Sequence, residues 1–279
     1  MPLYLKLFLG GLLFSLLFIQ CENKSGSILP KENKKPPLLN SIKTKDTVKE
    51  NLPNILPDSL LTQHLIGHCN YKTDTCFTIV PIKVCSRKIY LQKETSAKFI
   101  EMHKAALKDS IQLIINSGAR NFNVQKHIWE QKWKGKKRLR DGSSAKYISD
   151  LKSRSIKILL FTAMPGTSRH HWGTEVDLYH HNGNKYYEKG KGFRQYDWLT
   201  KNASKYGFYQ VYTNKEKNHR SGYNEEKWHW SYLPIAKQYL KKYNQLISYS
   251  DISGFEGDTL AKKIQAIKLY VNGIDSIYR

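Results

Sequence analysis

From Glu94 to Asp109 the polar and apolar positions recur three and four apart, with Ile100, His103 and Leu107 on one stripe and Ala97, Ala105 and Ala106 favouring the helix. "IQLIINSG", 111–118, then reads as a buried strand closed by a glycine turn, and "NFNVQKHIWEQKW" returns to helical spacing. Phe122, Gln125, Ile128, Trp129 and Trp133 fall close to one face of that second helix. "SIKILLF" and "TEVDL" have the short apolar character of strands, and "YDWLTKNASKYG" predicts a helix stopping at Gly207. "FYQVY" and the aromatic-rich "EKWHWSYL" read as strands, after which Pro234 opens another helix. Leu260, Ile264, Ile267 and Val271 keep helical spacing, so the tail is expected to pack. Helices and strands mix without regular alternation, which predicts an α+β domain.

Composition separates this domain from what precedes it. Leu7 to Ile19 is an apolar run interrupted by Gly10, Gly11 and Ser15, with Lys6 ahead of it. It is short for a membrane span and suits the core of a signal peptide, residues 1–20. Cys21 at its end resembles the lipidated cysteine of a bacterial lipoprotein, although Gln20 stands where such signals carry a small residue. An ordinary cleaved signal or an uncleaved anchor are the alternatives, and all three export the chain. Residues 21–57, rich in Lys, Asn, Ser and Pro, read as a flexible linker, and 58–279 as one globular domain.

Export changes the meaning of cysteines and charge. Cys69 and Cys76 flank a short polar loop and are expected to pair in an oxidising compartment, leaving Cys85 over; a zinc cluster is the rival, without CxxC spacing to support it. The net charge of +23 would suit nucleic acid, but an exported chain meets membrane and cell-envelope polymers instead. The densest basic run, "KWKGKKRLR" from Lys132 to Arg140, reads as a solvated loop.

The chemistry concentrates in "SRHHWGTEVD", Ser168 to Asp177. On a strand, Glu175 and Asp177 share one face and Val176 takes the other. His170 precedes the strand across Gly173, a place for a tight turn. A histidine turning back toward a carboxylate supplies two metal ligands, and a catalytic zinc needs a third with one position open. His229, between Trp228 and Trp230, is the candidate third ligand, with Glu226 three residues upstream. In a straight strand Glu226 and His229 face opposite ways, so a shared site requires a bend near Lys227.

These residues resemble the zinc D-alanyl-D-alanine carboxypeptidases and dipeptidases of bacterial cell walls, relatives of the vancomycin-resistance peptidases that share a core with lysostaphin-type peptidases and the hedgehog domain. Their first motif stands here as Ser168, His170, Gly173, Glu175 and Asp177, with Glu175 where the family commonly has alanine. Their second stands as Glu226, Trp228 and His229. An upstream motif stands as Ser117, Gly118, Arg120 and Gln125, with Ala119 replacing a tyrosine.

The resemblance implies a small, mainly antiparallel sheet carrying one zinc ion on His170, Asp177 and His229, flanked by helices. It implies Glu226 as general acid and base, Arg120 as partner of the oxyanion or of the substrate, and Gln125 and Ser168 as substrate contacts. The implied substrates are peptidoglycan stem peptides, most directly their D-Ala-D-Ala end. An L,D-carboxypeptidase, a cross-bridge endopeptidase or a non-catalytic zinc lipoprotein binding wall peptides are the alternatives. His171 and the histidines at 64, 68, 103, 127, 180, 181 and 219 are expected to be structural or solvated.

Overall fold

The computed structural model describes residues 58–178 and 183–279. The expected signal (1–20), linker (21–57) and Cys21, together with His180 and His181, lie outside the described residues. The elements run α1 (Asp58–Leu65), β1 (Phe77–Ile79), β2 (Tyr90–Gln92), α2 (Lys93–Lys108), α3 (Phe122–Trp133), α4 (Leu151–Leu159), β3 (Glu175–Asp177), α5 (Gly190–Asn202), β4 (Phe208–Tyr209), α6 (Lys215–Asn218), β5 (His229–Tyr232) and α7 (Leu233–Leu246). No helix among the described residues is long and apolar enough to cross a membrane.

Local chemistry explains where the helices begin and end. The Asn121 side chain accepts from the Val124 amide at 2.9 Å and starts α3, and Pro234 sits in the first turn of α7. A 3-10 turn, Ala203–Tyr206, follows α5 and stops at Gly207, whose φ of 80° is left-handed. "SIKILLF" is helix rather than strand. Asp150 caps α4 by accepting from Ser153 at 2.7 Å, and Ser155, Ile158 and Leu159 then bury one helical face. The strand expected at 111–118 is also absent as a named strand. Its Leu113 and Ile115 are buried, but pairing reduces to single bridges from Ile115 to Cys85 and from Ser117 to Asp177. The helical spacing of the tail breaks at Gln265, φ 53°, yet Ile264 and Val271 still enter the core.

The fold is α+β with small antiparallel sheets. β1 pairs with β2, and a second sheet runs in the order β3, β5, β4. In the second sheet Glu175 lies opposite Ser231, Val176 opposite Trp230, and Asp177 opposite His229. Directly opposed residues share a face. One face therefore carries Val176, Trp230, Phe208 and Tyr232 into a core with Phe99, Leu113 and Ile115. The other carries Glu175, Asp177, His229 and Ser231. All four residues of β5 are buried, so its alternation is not core against solvent. It is apolar core against a buried polar site. A second core, built on Trp129, Trp172, Val211, Tyr243 and the C-terminal tail, lies among α1, α3, α4 and α7.

Candidate metal centre and active site

The polar face of the sheet gains His170 from a 3-10 turn, Arg169–Trp172. Gly173 ends that turn at φ 69°, and a Cβ there would lie 2.3 Å from the Phe77 ring, so only glycine lets the chain turn directly into β3. The segment 117–120 holds turn and strand together. The Asp177 amide donates to the Ser117 carbonyl at 2.8 Å, and the Arg120 amide donates to the His170 carbonyl at 3.0 Å.

One ligand atom each from His170, Asp177 and His229 lies within 4.8 Å of the others. His170 Nε2 stands 3.3 Å from Asp177 Oδ2, and His229 Nδ1 stands 3.0 Å from Asp177 Oδ1. Both histidines are aimed by their remaining ring nitrogens. His170 Nδ1 lies 2.8 Å from the Gly118 carbonyl, which only accepts, so this nitrogen carries the proton and Nε2 faces Asp177. His229 Nε2 donates to Glu175 at 2.7 Å, which turns Nδ1 inward. Two aimed imidazoles and a carboxylate form a donor set suited to zinc. It is the one such group among the described residues.

The electrostatics fit a site built around a cation. Burial would raise Asp177, but His170 and His229 hold it well below its ordinary value. Burial would lower His229, yet Asp177 and Glu175 push it up to about 9. Burial and then Arg120 lower His170. Glu226 is pushed up to about 7 by burial, with Asp177 adding to the effect and His229 opposing it.

Glu226 reaches this centre because β5 starts only at His229. The His229 amide donates to the Glu226 carbonyl at 3.2 Å, closing the bend that a shared site requires. A Glu226 carboxylate oxygen then lies 4.0 Å from His229 Nδ1. Arg120 Nη1 donates to Gln125 Oε1 at 3.0 Å, its Nη2 lies 3.7 Å from Asp177, and its buried Nε has no hydrogen-bond partner among the described residues. Gln125 in turn donates to the Ala163 carbonyl at 2.7 Å. Arg120, Ser168, His170, Glu226 and His229 line a cavity of about 140 Å3. Gln125 stands behind its wall, holding Arg120.

His171 points away from this cavity. Its Nδ1 donates to the Arg120 carbonyl at 2.6 Å and its Nε2 accepts from the Gly166 amide at 3.1 Å. It is a neutral structural clamp, and burial pushes it down to about 3. Cys69, Cys76 and Cys85 are all free thiols, so the pairing expected for the first two is not formed. Asp74 organises their loop instead, accepting from the Cys76 amide at 2.8 Å and pairing with His64.

Three groups of the site escape a motif reading. Lys132 lines the cavity from the end of α3, in a run that otherwise is largely solvated. Its ammonium bonds the neutral Thr162 hydroxyl, and burial and nearby cations push it down to about 8. Its spacing from Gln125, two helical turns, was the available signal. Tyr212 and Tyr223 form another wall, with the Tyr212 ring tilted against the His229 ring at 4.6 Å between centroids. No spacing rule marks either tyrosine.

Comparison with known proteins assigns the chain to a family. Residues 88–235 match the family model described as VanY: D-alanyl-D-alanine carboxypeptidase. The chain belongs to this family. A D-alanyl-D-alanine carboxypeptidase of Enterococcus faecalis is 27% identical over 139 residues, 48% of this chain and 45% of the relative. A putative carboxypeptidase of Bacillus subtilis, YodJ, is 28% identical over 181 residues, 64% of this chain and 57% of the relative. This VanY family member thus spans about half the length of the curated relatives it matches. Among solved structures, a vancomycin-resistance D,D-pentapeptidase VanY variant in complex with Zn(II) is similar at 24% identity, covering 60% of this chain and 89% of that one, TM-score 0.42. The LD-carboxypeptidase LdcB is similar at 26% identity, covering 62% and 75%, TM-score 0.43.

Proposed function

We propose that the chain is a zinc-dependent carboxypeptidase acting on peptidoglycan stem peptides in the cell envelope. The reading rests on one arrangement: His170, Asp177 and His229 converge with fixed ring orientations beside a buried carboxyl, Glu226, in a small cavity that also presents cations. Family membership supports the reaction class. Zinc, when bound, polarises a carbonyl and lowers the pKa of water to about 7.

The remaining chemistry belongs to this chain. Glu226, near 7 in the metal-free protein, is poised to take a proton from the attacking water and return it to the departing amine. Arg120 lines the cavity and brings its guanidinium charge to it, where it can meet the oxygen on which negative charge develops. Lys132 forms no ion pair with a carboxylate of the described residues, which suits a substrate bringing its own. A free C-terminal carboxylate is what a carboxypeptidase substrate offers and a cross-bridge endopeptidase substrate lacks at the cut bond.

Incubating zinc-loaded protein with a stem pentapeptide and following the products by mass spectrometry tests the proposal. Release of the terminal D-alanine is expected, and its loss in Glu226→Ala with zinc still bound. Cleavage only after removal of that residue would assign L,D-carboxypeptidase activity, and cleavage only within cross-linked peptides an endopeptidase. Binding without cleavage would leave a wall-peptide receptor.

A further inference from the structure

Beneath the metal centre lies a second charged group. Glu175 is fully buried, and Arg169 beneath it is 2% exposed. Glu175 Oε1 is anchored by three donors: Ser231 Oγ at 2.8 Å, Thr174 Oγ1 at 3.1 Å and Arg169 Nη2 at 3.2 Å. Oε2 serves His229 alone, at 2.7 Å. Arg169 also donates to Ser231 at 3.0 Å and lies 4.6 Å from the centre of the Trp172 ring. Its Nε and Nη1 have no hydrogen-bond partner among the described residues.

A buried ion pair with unsatisfied donors is poor value for stability, because desolvation offsets its attraction. Its geometry fits another use. We propose that Glu175 is a positioning residue for His229, fixing the proton on Nε2 and the lone pair of Nδ1 toward the metal, with Arg169 and Ser231 holding the carboxylate in place. The proposal rests on the reading that His170, Asp177 and His229 bind the metal. A hydrogen-bond acceptor behind a ligating histidine sets both its tautomer and its ring orientation, and losing such a partner typically weakens metal binding about 10–100-fold.

The test must separate positioning from simple charge balance. Two double variants remove both charges: R169M with E175Q keeps an acceptor for His229, and R169M with E175L does not. Zinc affinity, measured by competition with a chromophoric chelator, should stay within about threefold of wild type in the first and fall about 10–100-fold in the second. Cobalt(II) absorption should likewise keep its wild-type form only in the first. Equal affinity and equal cobalt spectra in the two would overturn the proposal while leaving the metal site standing. Wild-type affinity in His229→Ala would instead remove the site itself. Should a double variant not fold, long-range proton–nitrogen spectra of zinc-loaded wild type decide the matter. They should show His229 protonated on Nε2 and His170 on Nδ1, and the opposite tautomer at His229 would overturn the proposal.

Discussion

Replacing Glu226 with Gln removes an ionisable group from a place that disfavours its charge. The side chain is buried, and burial lifts its carboxyl from an ordinary 4.5 to about 7 in the metal-free protein. Between those values the unfolded chain has released this proton and the folded chain still holds it. Stability therefore falls as pH rises through that window. A rise from 4.5 to about 7 corresponds to roughly 3 kcal/mol, at about 1.4 kcal/mol per pH unit. Gln has the same shape and no such loss. In chelator-treated protein, urea unfolding should give equal stability for E226Q and wild type near pH 4. By pH 8 the variant should be the more stable by up to roughly 3 kcal/mol. With zinc restored, its turnover should fall about 100- to 10,000-fold, the range for losing a general acid–base group. A stability difference that does not grow with pH would refute the burial reasoning, and unchanged turnover would remove Glu226 from the chemistry.

The other groups give shorter tests. His229 stands near 9 without metal, so a proton must leave Nδ1 on binding. Zinc affinity should then weaken up to about tenfold for each pH unit below 9, and a flat profile from pH 6 to 8 in competition titrations would contradict this. Lys132, near 8, loses its charge above that pH. KM for a free-acid stem peptide should rise there, while the amide-capped peptide and Lys132→Met should show no such rise; a Lys132→Met profile identical to wild type would exclude the lysine from substrate binding. His171→Ala orphans the Arg120 carbonyl and the Gly166 amide. Thermal unfolding should show a loss of about 1–3 kcal/mol for each buried group left without a partner, with zinc stoichiometry kept at one.

The convergence of the candidate site's side chains was legible in the sequence because they follow backbone rules. Period-two alternation put Glu175 and Asp177 on one face, and the sheet register places both beside His229. The need for a bend before His229 was readable from Glu226, three residues away. What Glu175 does was not readable, since its partners, Arg169 and Ser231, come together only when β3 pairs with β5. Lys132 was hidden for a similar reason: it opens a run of mostly exposed lysines and arginines, while the end of α3 places its side chain at the cavity. Among the elements, α4 was mistaken for a strand because Ile, Leu and Phe cluster there, whereas the Asp150 cap and a buried helical face decide the outcome. The extended segment before Gly118 has strand-like burial but makes only isolated bridges, so its pattern reported burial rather than sheet membership.

Anomalous diffraction at the zinc edge from crystals of the zinc-loaded chain tests this centre most directly. One peak is predicted, about 2.0–2.2 Å from His170 Nε2, an Asp177 carboxylate oxygen and His229 Nδ1. A zinc ion held elsewhere, or bound through His229 Nε2, would contradict it.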